Sequence, residues 1–309
     1  MEEKKYILQL HNHTDSSVLD GLFCVDKWLS KAKLLELPAL AITDHGNMGS
    51  IFQLIDKAKN YGIKPIAGLE AYLVNDLTFK KHKETKYHIT LLAKNDIGLY
   101  NLITLNNIAH IEGFYKKPRI DFKHLLKYQE GIIILSGCIR GVIQQAIANE
   151  KDAIKVAQFL KNNFDNVYGE IMFLDLDILK EKLTWKTCEI CKKVGLPIVI
   201  TNDCHYLDRE DYLLQTILLK IKAKVKIDEK SFKMSTGDLW FKSYDEIHES
   251  YNKHYSRNIS KQIFSEAVNN TNNIANLVEE YTFDRSYKFP DLDLKNFEDY
   301  NEFIDWINK

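Results

Sequence analysis

The stretch "LHNHTDSSVLDG", residues 10–21, ends an apolar run with two histidines at i and i+2 and places an aspartate seven residues after the second. Side chains of an extended chain alternate faces, so His11 and His13 point the same way and form a two-point clamp. The same geometry recurs in NDCH, where Asp203 and His205 share a face. Neither pair specifies a metal by itself. What the rest of the chain places beside them decides.

Working outward, seven apolar runs read as strands: YILQLHNH (6–13), PALAITDH (38–45), KPIAGLEAYL (64–73), YHITLLA (87–93), GIIILSGC (131–138), VYGEIMF (167–173) and PIVITNDCH (197–205). Between them lie amphipathic stretches with apolar residues at i, i+3 and i+4, such as VDKWLSKAKLLEL, SIFQLIDKAKNYG, AIKVAQFLKNNF and LTWKTCEICKKVG, several closed by glycine. Alternating strands and helices predict an α/β fold with a parallel sheet, and seven repeats are about what a closed or nearly closed barrel requires. In the C-terminal third, DYLLQTILLKIKAK and SKQIFSEAVNNTNNIANLVEE read as helices, with a short extended WFKS between them. From Tyr281 the periodicity weakens and a proline appears, which predicts a linker ending in a short helix.

In a parallel βα barrel the strand ends form the active face, and chemistry gathers there from strands far apart in sequence. His45 closes its run, as do Glu70 and Cys138; Asp20 follows the HNH motif. His88 is the exception, because it opens YHITLLA, and only a different strand boundary or a local bend would bring it in. The set His11, His13, Asp20, His45, Glu70, His88, Cys138, Asp203 and His205 is too large for one tetrahedral ion and suits two or three ions sharing carboxylates. Imidazole, carboxylate and one thiolate together favour zinc, manganese or iron over magnesium or calcium. Polar groups recurring along apolar strands are costly to bury unpaired, which argues against a purely structural explanation.

Lysine and arginine (42) balance aspartate and glutamate (43), so no whole-chain field argues for nucleic acid or membrane, and an anionic substrate must meet a local patch. MEEKKYILQL has no signal-peptide pattern, and no apolar stretch approaches the roughly 18 residues of a membrane span. Five cysteines without framework spacing fit a reducing compartment, so a cytoplasmic location is expected. Cys188 and Cys191 form a CxxC inside a helix with no second pair, which reads as packing. His82, His110, His124, His248 and His254 carry no spacing signal.

The runs HNHTDSSVLDG, PALAITDHGN, GIKPIAGLEAYL, YHITLLAKN, IEGFYKKPRID, GIIILSGC and PIVITNDCHYL, in this order, closely resemble the polymerase and histidinol phosphatase (PHP) domain, in the form found at the N-terminus of the bacterial DNA polymerase III alpha subunit. The resemblance runs from Tyr6 to about Pro290 and implies a distorted seven-stranded barrel with helical additions, occupying residues 1–285, with 286–309 as a linker or the start of a polymerase region. It implies up to three ions: one on His11, His13, Glu70 and Asp203, a second on Glu70, His88 and Cys138, a third on Asp20, His45 and His205. All nine positions are filled here, which favours an active site over the inactive forms found in some alpha subunits. Two positions depart from the family: EIMFLD stands where a Gln and a His are common after the sixth strand, and Gln215 stands where a His is often found.

The expected function is a metal-dependent 3′–5′ exonuclease acting on a single-stranded DNA 3′ end, with His11, His13, Asp203 and His205 at the catalytic centre. Lys116, Lys117 and Arg119, interleaved with Phe114 and Tyr115, are the expected contacts for flanking phosphates and bases; a solvated loop with an aromatic anchor is the alternative. The polymerase core and other replisome subunits are the expected partners besides DNA, and no membrane is. A polymerase would continue into palm, fingers and thumb, and the Asp291 and Asp293 of FPDLDL read as linker, so no polymerase activity is expected of this chain. The rival functions are a phosphatase for a small phosphomonoester and a non-catalytic, metal-stabilised module that scaffolds a polymerase.

Overall fold

The computed structural model describes residues 5–80, 86–227, 236–283, 286 and 300–308. Its strands are β1 (Ala39–Ile42), β2 (Lys64–Val74), β3 (Tyr87–Ala93), β4 (Arg119–Asp121), β5 (Ile132–Leu135), β6 (Val167–Met172) and β7 (Ile198–Thr201). The helices are α1 (Val25–Leu34), α2 (Ile51–Tyr61), α3 (Asp96–Ile111), α4 (Phe122–Lys127), α5 (Val142–Ala148), α6 (Ala153–Asn163), α7 (Thr184–Val194), α8 (Tyr212–Ala223), α9 (Tyr244–His254), α10 (Lys261–Leu277) and α11 (Tyr300–Ile307). One seven-stranded sheet runs β1-β2-β3-β5-β6-β7, with β4 pairing the far half of β2. This is the expected distorted α/β barrel with helical additions at its C-terminal end.

Strands β1, β5 and β7 are buried along their whole length, as continuous apolar runs must be when helices cover one face of a curled sheet and its own interior fills the other. Helices α2 and α7 stop at Gly62 and Gly195, whose left-handed φ values of 70° and 69° suit glycine. Cys188 and Cys191 are buried on α7, and Sγ of Cys191 occupies the space a Cβ on Gly169 of β6 would need, so this CxxC is packing. Burial pushes the Cys191 thiol up to about 12, which keeps it inert.

Three expectations change. The sheet is mixed: β3 runs antiparallel to both β2 and β5. The first apolar run is not a ladder strand, because an asparagine side chain takes the place of a neighbouring strand: Asn272 of α10 accepts from the Leu8 amide at 2.9 Å and donates to the Tyr6 carbonyl at 2.8 Å. The seventh strand is Arg119–Asp121, inside a segment expected to be a loop. Helix α9, opened by a capping box between Ser243 and Glu246, also escaped the sequence reading.

Residues 11–13 nevertheless close the barrel at one end. Asn12 O accepts from the Thr43 amide at 2.9 Å beyond β1, while His13 N donates to Cys204 O at 2.8 Å and Cys204 N to His11 O at 3.0 Å beyond β7. The Asn12 amide Nδ2 adds bonds to the carbonyls of Gln9 and Ala41, both at 2.8 Å. The two histidines are thereby held on either side of a fixed backbone point. His82, Asp291 and Asp293 lie outside the described residues.

Candidate metal centre

All nine sequence-selected donors meet at the end of the barrel closed by Asn12. His88 arrives there because β3 is reversed: the start of an antiparallel strand lies level with the ends of its parallel neighbours. Glu70 is not at a strand end, since β2 runs on to Val74, but it lies level with the end of β1 through a bridge to His45. Asp203 follows β7 and is not part of it; its φ of 50° is left-handed, a strained state for a non-glycine residue that is tolerated at sites where a side chain must be aimed.

Glu70 is the hub. Its Oε1 is 2.7 Å from His88 Nδ1, 3.3 Å from His11 Nε2 and 3.4 Å from Cys138 Sγ. Its Oε2 is 3.6 Å from His13 Nε2 and abuts His45 Nδ1 without hydrogen-bond geometry. Asp203 Oδ1 lies 3.0 Å from His13 Nε2 and 3.5 Å from His11 Nε2. Asp20 is shared between His45 Nε2 and His205 Nε2, each at 3.6 Å. His88 and Cys138 approach to 3.6 Å. Among the described residues, in each of three sets, His11–His13–Glu70, His13–His45–His205 and His45–Glu70–His88, the donor atoms lie within 4.8 Å of one another.

Hydrogen bonds behind the rings decide which nitrogen faces the cavity. His11 Nδ1 is 2.7 Å from Glu170, which also accepts from Thr201 Oγ1 at 2.6 Å, Gly137 N at 3.0 Å and Thr90 Oγ1 at 3.2 Å. A carboxylate so supplied keeps the ring proton on Nδ1 and leaves Nε2 a lone pair. His13 Nδ1 meets Ser17 Oγ at 3.2 Å, and that hydroxyl donates to the buried Asp44 at 2.7 Å, so Ser17 is an acceptor toward the ring. His205 Nδ1 donates to its neighbour's carbonyl, Asp203 O, at 2.8 Å. His11, His13 and His205 thus present Nε2 to the carboxylates, whereas His45 and His88 meet Glu70 through Nδ1.

The site fits cations. His11 Nε2, His45 Nδ1, Glu70 Oε2 and His88 Nε2 are buried without a hydrogen-bond partner, an arrangement that is costly unless a cation or protons supply the missing charge. The ionisation pattern shows the same demand. Burial opposes charge on His11, but Asp203, Glu170 and Glu70 outweigh it and hold its imidazolium well above the ordinary range. Burial also opposes charge on Glu70, and His88, His45 and His11 overcome it and hold the carboxyl well below its usual value. His13, buried and faced by His45 and His205, falls to about 3 and is neutral. Burial, then Glu70 and Asp203, push the Cys138 thiol up, so its thiolate needs a nearby cation. Loading such a site must release protons.

Of the expected substrate contacts, Lys116 and Lys117 are exposed, and the Lys117 ammonium lies 5.1 Å from the centroid of Tyr72, itself 6.2 Å from the His45 ring. Arg119 is a correction. It is fully buried, and its guanidinium donates to the carbonyls of Gly113, Phe79 and Leu77 at 2.9, 2.9 and 3.1 Å, so its donors are aimed into the protein. His110 and His124 stay out of the cluster, bonded to Gly46 O and Asp121.

Glu170 is the residue the sequence reading missed. The signal was present: one acid inside the apolar run VYGEIMF, on a strand otherwise fit for burial. Glu170→Gln preserves shape but lets the amide donate to His11, which favours the wrong tautomer. It is expected to weaken metal binding at His11 by roughly 10–100-fold, read by titration against a competing chelator. Unchanged affinity would remove Glu170 from the centre.

A fold closed by HNH and NDCH around this donor set defines a class: the chain belongs to the PHP domain family, whose profile matches residues 9–173 and so includes every donor except Asp203 and His205. Its relatives narrow the likeness. It is 37% identical over 292 residues to the DNA polymerase III subunit alpha of Borreliella burgdorferi, covering 91% of this chain and 24% of that protein. The alpha subunits of Aquifex aeolicus and Thermus aquaticus are 37% and 34% identical, with 77% and 80% of this chain matched. The chain thus spans less than a quarter of the length of these relatives. Among solved structures, a two-domain protein of Bacteroides vulgatus containing a PHP-like metal-dependent phosphoesterase superposes loosely, with a TM-score of 0.41 and 14% identity over 66% of this chain and 57% of that one.

Proposed function

We propose that this chain is a metal-dependent phosphoesterase that removes nucleotides from the 3′ end of single-stranded DNA, in the cytoplasm and in company with a polymerase core and other replisome subunits. The observation that carries the reading is the convergence of nine donors at one end of the barrel, four of whose buried atoms, His11 Nε2, His45 Nδ1, Glu70 Oε2 and His88 Nε2, have no hydrogen-bond partner. Membership of the PHP family and likeness to alpha subunits support DNA as the substrate.

His11, His13, Glu70 and Asp203 would hold one ion, Glu70, His88 and Cys138 a second, and Asp20, His45 and His205 a third. Two or three transition-metal ions (zinc, manganese or iron), when bound there, would supply an activated water and Lewis-acid stabilisation of the scissile phosphate and its leaving oxygen. The chain's own part would be to aim Nε2 of His11, His13 and His205 at the ions, through Glu170, Ser17 and the Asp203 carbonyl, and to hold the carboxylates charged. Lys116 and Lys117, beside Tyr72 and Tyr115, would take flanking phosphates and bases, so that contacts remote from the scissile bond lower its barrier.

A 5′-labelled oligonucleotide incubated with manganese- or zinc-loaded protein is expected to shorten from its 3′ end far faster than a small phosphomonoester is hydrolysed. Lys117→Ala is expected to weaken oligonucleotide binding and reduce the salt dependence by about one charge. An intact oligonucleotide beside rapid turnover of the monoester replaces the exonuclease reading with the phosphatase one. No reaction with either replaces it with the scaffolding module.

A further inference from the structure

Helix α8 is weakly seated. Gln215 is its one buried residue, whereas Leu213, Leu214, Ile217 and Ile221 are exposed. Its last turn and the residues beyond it read KIKAKVK (220–226), with lysine at every second position. One of these reaches the metal centre: the Lys222 ammonium pairs with Oδ2 of Asp20. That same oxygen lies 3.6 Å from His45 Nε2, while the other, Oδ1, lies 3.6 Å from His205 Nε2. An ammonium and a cation held by Asp20, His45 and His205 therefore contend for one oxygen.

We propose that Lys222 is an exchangeable counter-ion: it holds Asp20 when no cation is bound there, and once a divalent ion takes Asp20 the freed ammonium binds a phosphate of the incoming substrate. The proposal rests on the phosphoesterase reading of the site and goes beyond it in assigning Lys222 a place in both metal and substrate binding.

A divalent ion on Asp20 satisfies the carboxylate more fully than an ammonium can, and it repels the ammonium at short range. Lys222 can leave cheaply, because its side chain is 39% exposed and its four-carbon stem is flexible. What lies around it is cationic. Lys117, over the Tyr72 ring, is held below its ordinary value first by burial and then by the charges of Lys222, Arg140 and Lys86, with Asp20 acting the other way. Arg140 is anchored beside the donors, since its carbonyl accepts from the His88 amide at 3.0 Å. Once Asp20 belongs to a metal ion, the rim keeps Lys117, Arg140 and Lys222 and loses the carboxylate that neutralised one of them. A phosphate is the ligand such a rim recognises. Metal loading would thus complete the anion site, so that ions enter before substrate.

The test is calorimetric titration of metal-free protein with Mn²⁺, followed by titration of the loaded protein with inorganic phosphate, for the wild type, Lys222→Met and Lys226→Met. Relief from a half-exposed ion pair is expected to tighten the weakest Mn²⁺ site about 3–5-fold in Lys222→Met. Loss of a charge-assisted contact is expected to weaken phosphate binding by loaded protein roughly tenfold. Lys226→Met, on the same stretch, changes neither. An unchanged weakest Mn²⁺ site, or unchanged phosphate affinity, overturns the exchange; so does binding of fewer than three ions by wild type and variant alike. Failure of the exonuclease reading registers separately, as an intact oligonucleotide, and leaves these titrations standing.

Discussion

Glu70→Gln is expected to cost the protein at least two of its bound ions and to lower phosphodiester hydrolysis by on the order of 10³-fold. Glutamine matches glutamate in size, so the loss cannot be assigned to a cavity. What disappears is one negative charge at the point where His11, His13, His45, His88 and Cys138 all approach. Both oxygens of Glu70 are in use, one toward His88, His11 and Cys138 and the other toward His45 and His13, so two of the three ligand groups fail together. Cys138→Ser, which touches one group, is expected to lose a single ion, and Cys188→Ala, packed on α7, none. Elemental analysis of protein never exposed to chelator measures all three. Full metal content in Glu70→Gln would mean that the shared carboxylate does not join the groups.

Which of these relations could be read beforehand depends on whether they are local. The pairs His11/His13 and Asp203/His205 are legible because two-residue spacing is a property of the backbone itself. His88 resisted, because a strand's direction is set by its neighbours: YHITLLA reads the same whether it runs with β2 or against it. The reversal turned the one misplaced donor into a member of the set. Glu170 lay in plain view within an apolar run, but its bonds to His11, Thr90, Gly137 and Thr201 come from four distant segments that no spacing encodes. The failure of residues 6–13 to form a ladder strand has a similar cause, since their partner is the side chain of Asn272.

Arg119 failed for a different reason, and it makes the sharpest case for reading burial before charge. In GFYKKPRID three cations look alike, yet Arg119 opens a buried strand, β4, between the buried Pro118 and Ile120, while Lys116 and Lys117 remain on the turn. The guanidinium can be buried because its donors meet three carbonyls, from Leu77, Phe79 and Gly113, and because it stacks 5.4 Å from the Tyr115 centroid. It ties the segment after β2 to the turn that carries the exposed lysines. Arg119→Ala would leave those carbonyls without a donor in a region water reaches poorly, at about 1–3 kcal/mol each before relaxation. Allowing for partial repacking, the expected destabilisation is about 3 kcal/mol, which lowers Tm by roughly 5 °C in a chain of this size. Arg119→Lys keeps the charge but offers one ammonium to three acceptors, so it should recover only part of that loss. Lys117→Ala is expected to leave Tm unchanged while weakening oligonucleotide binding. Thermal unfolding of the three variants, with metal content held equal, separates a strut from a phosphate contact. If Arg119→Ala melts with the wild type and binds DNA more weakly, Arg119 is the substrate contact that its neighbours in sequence first implied.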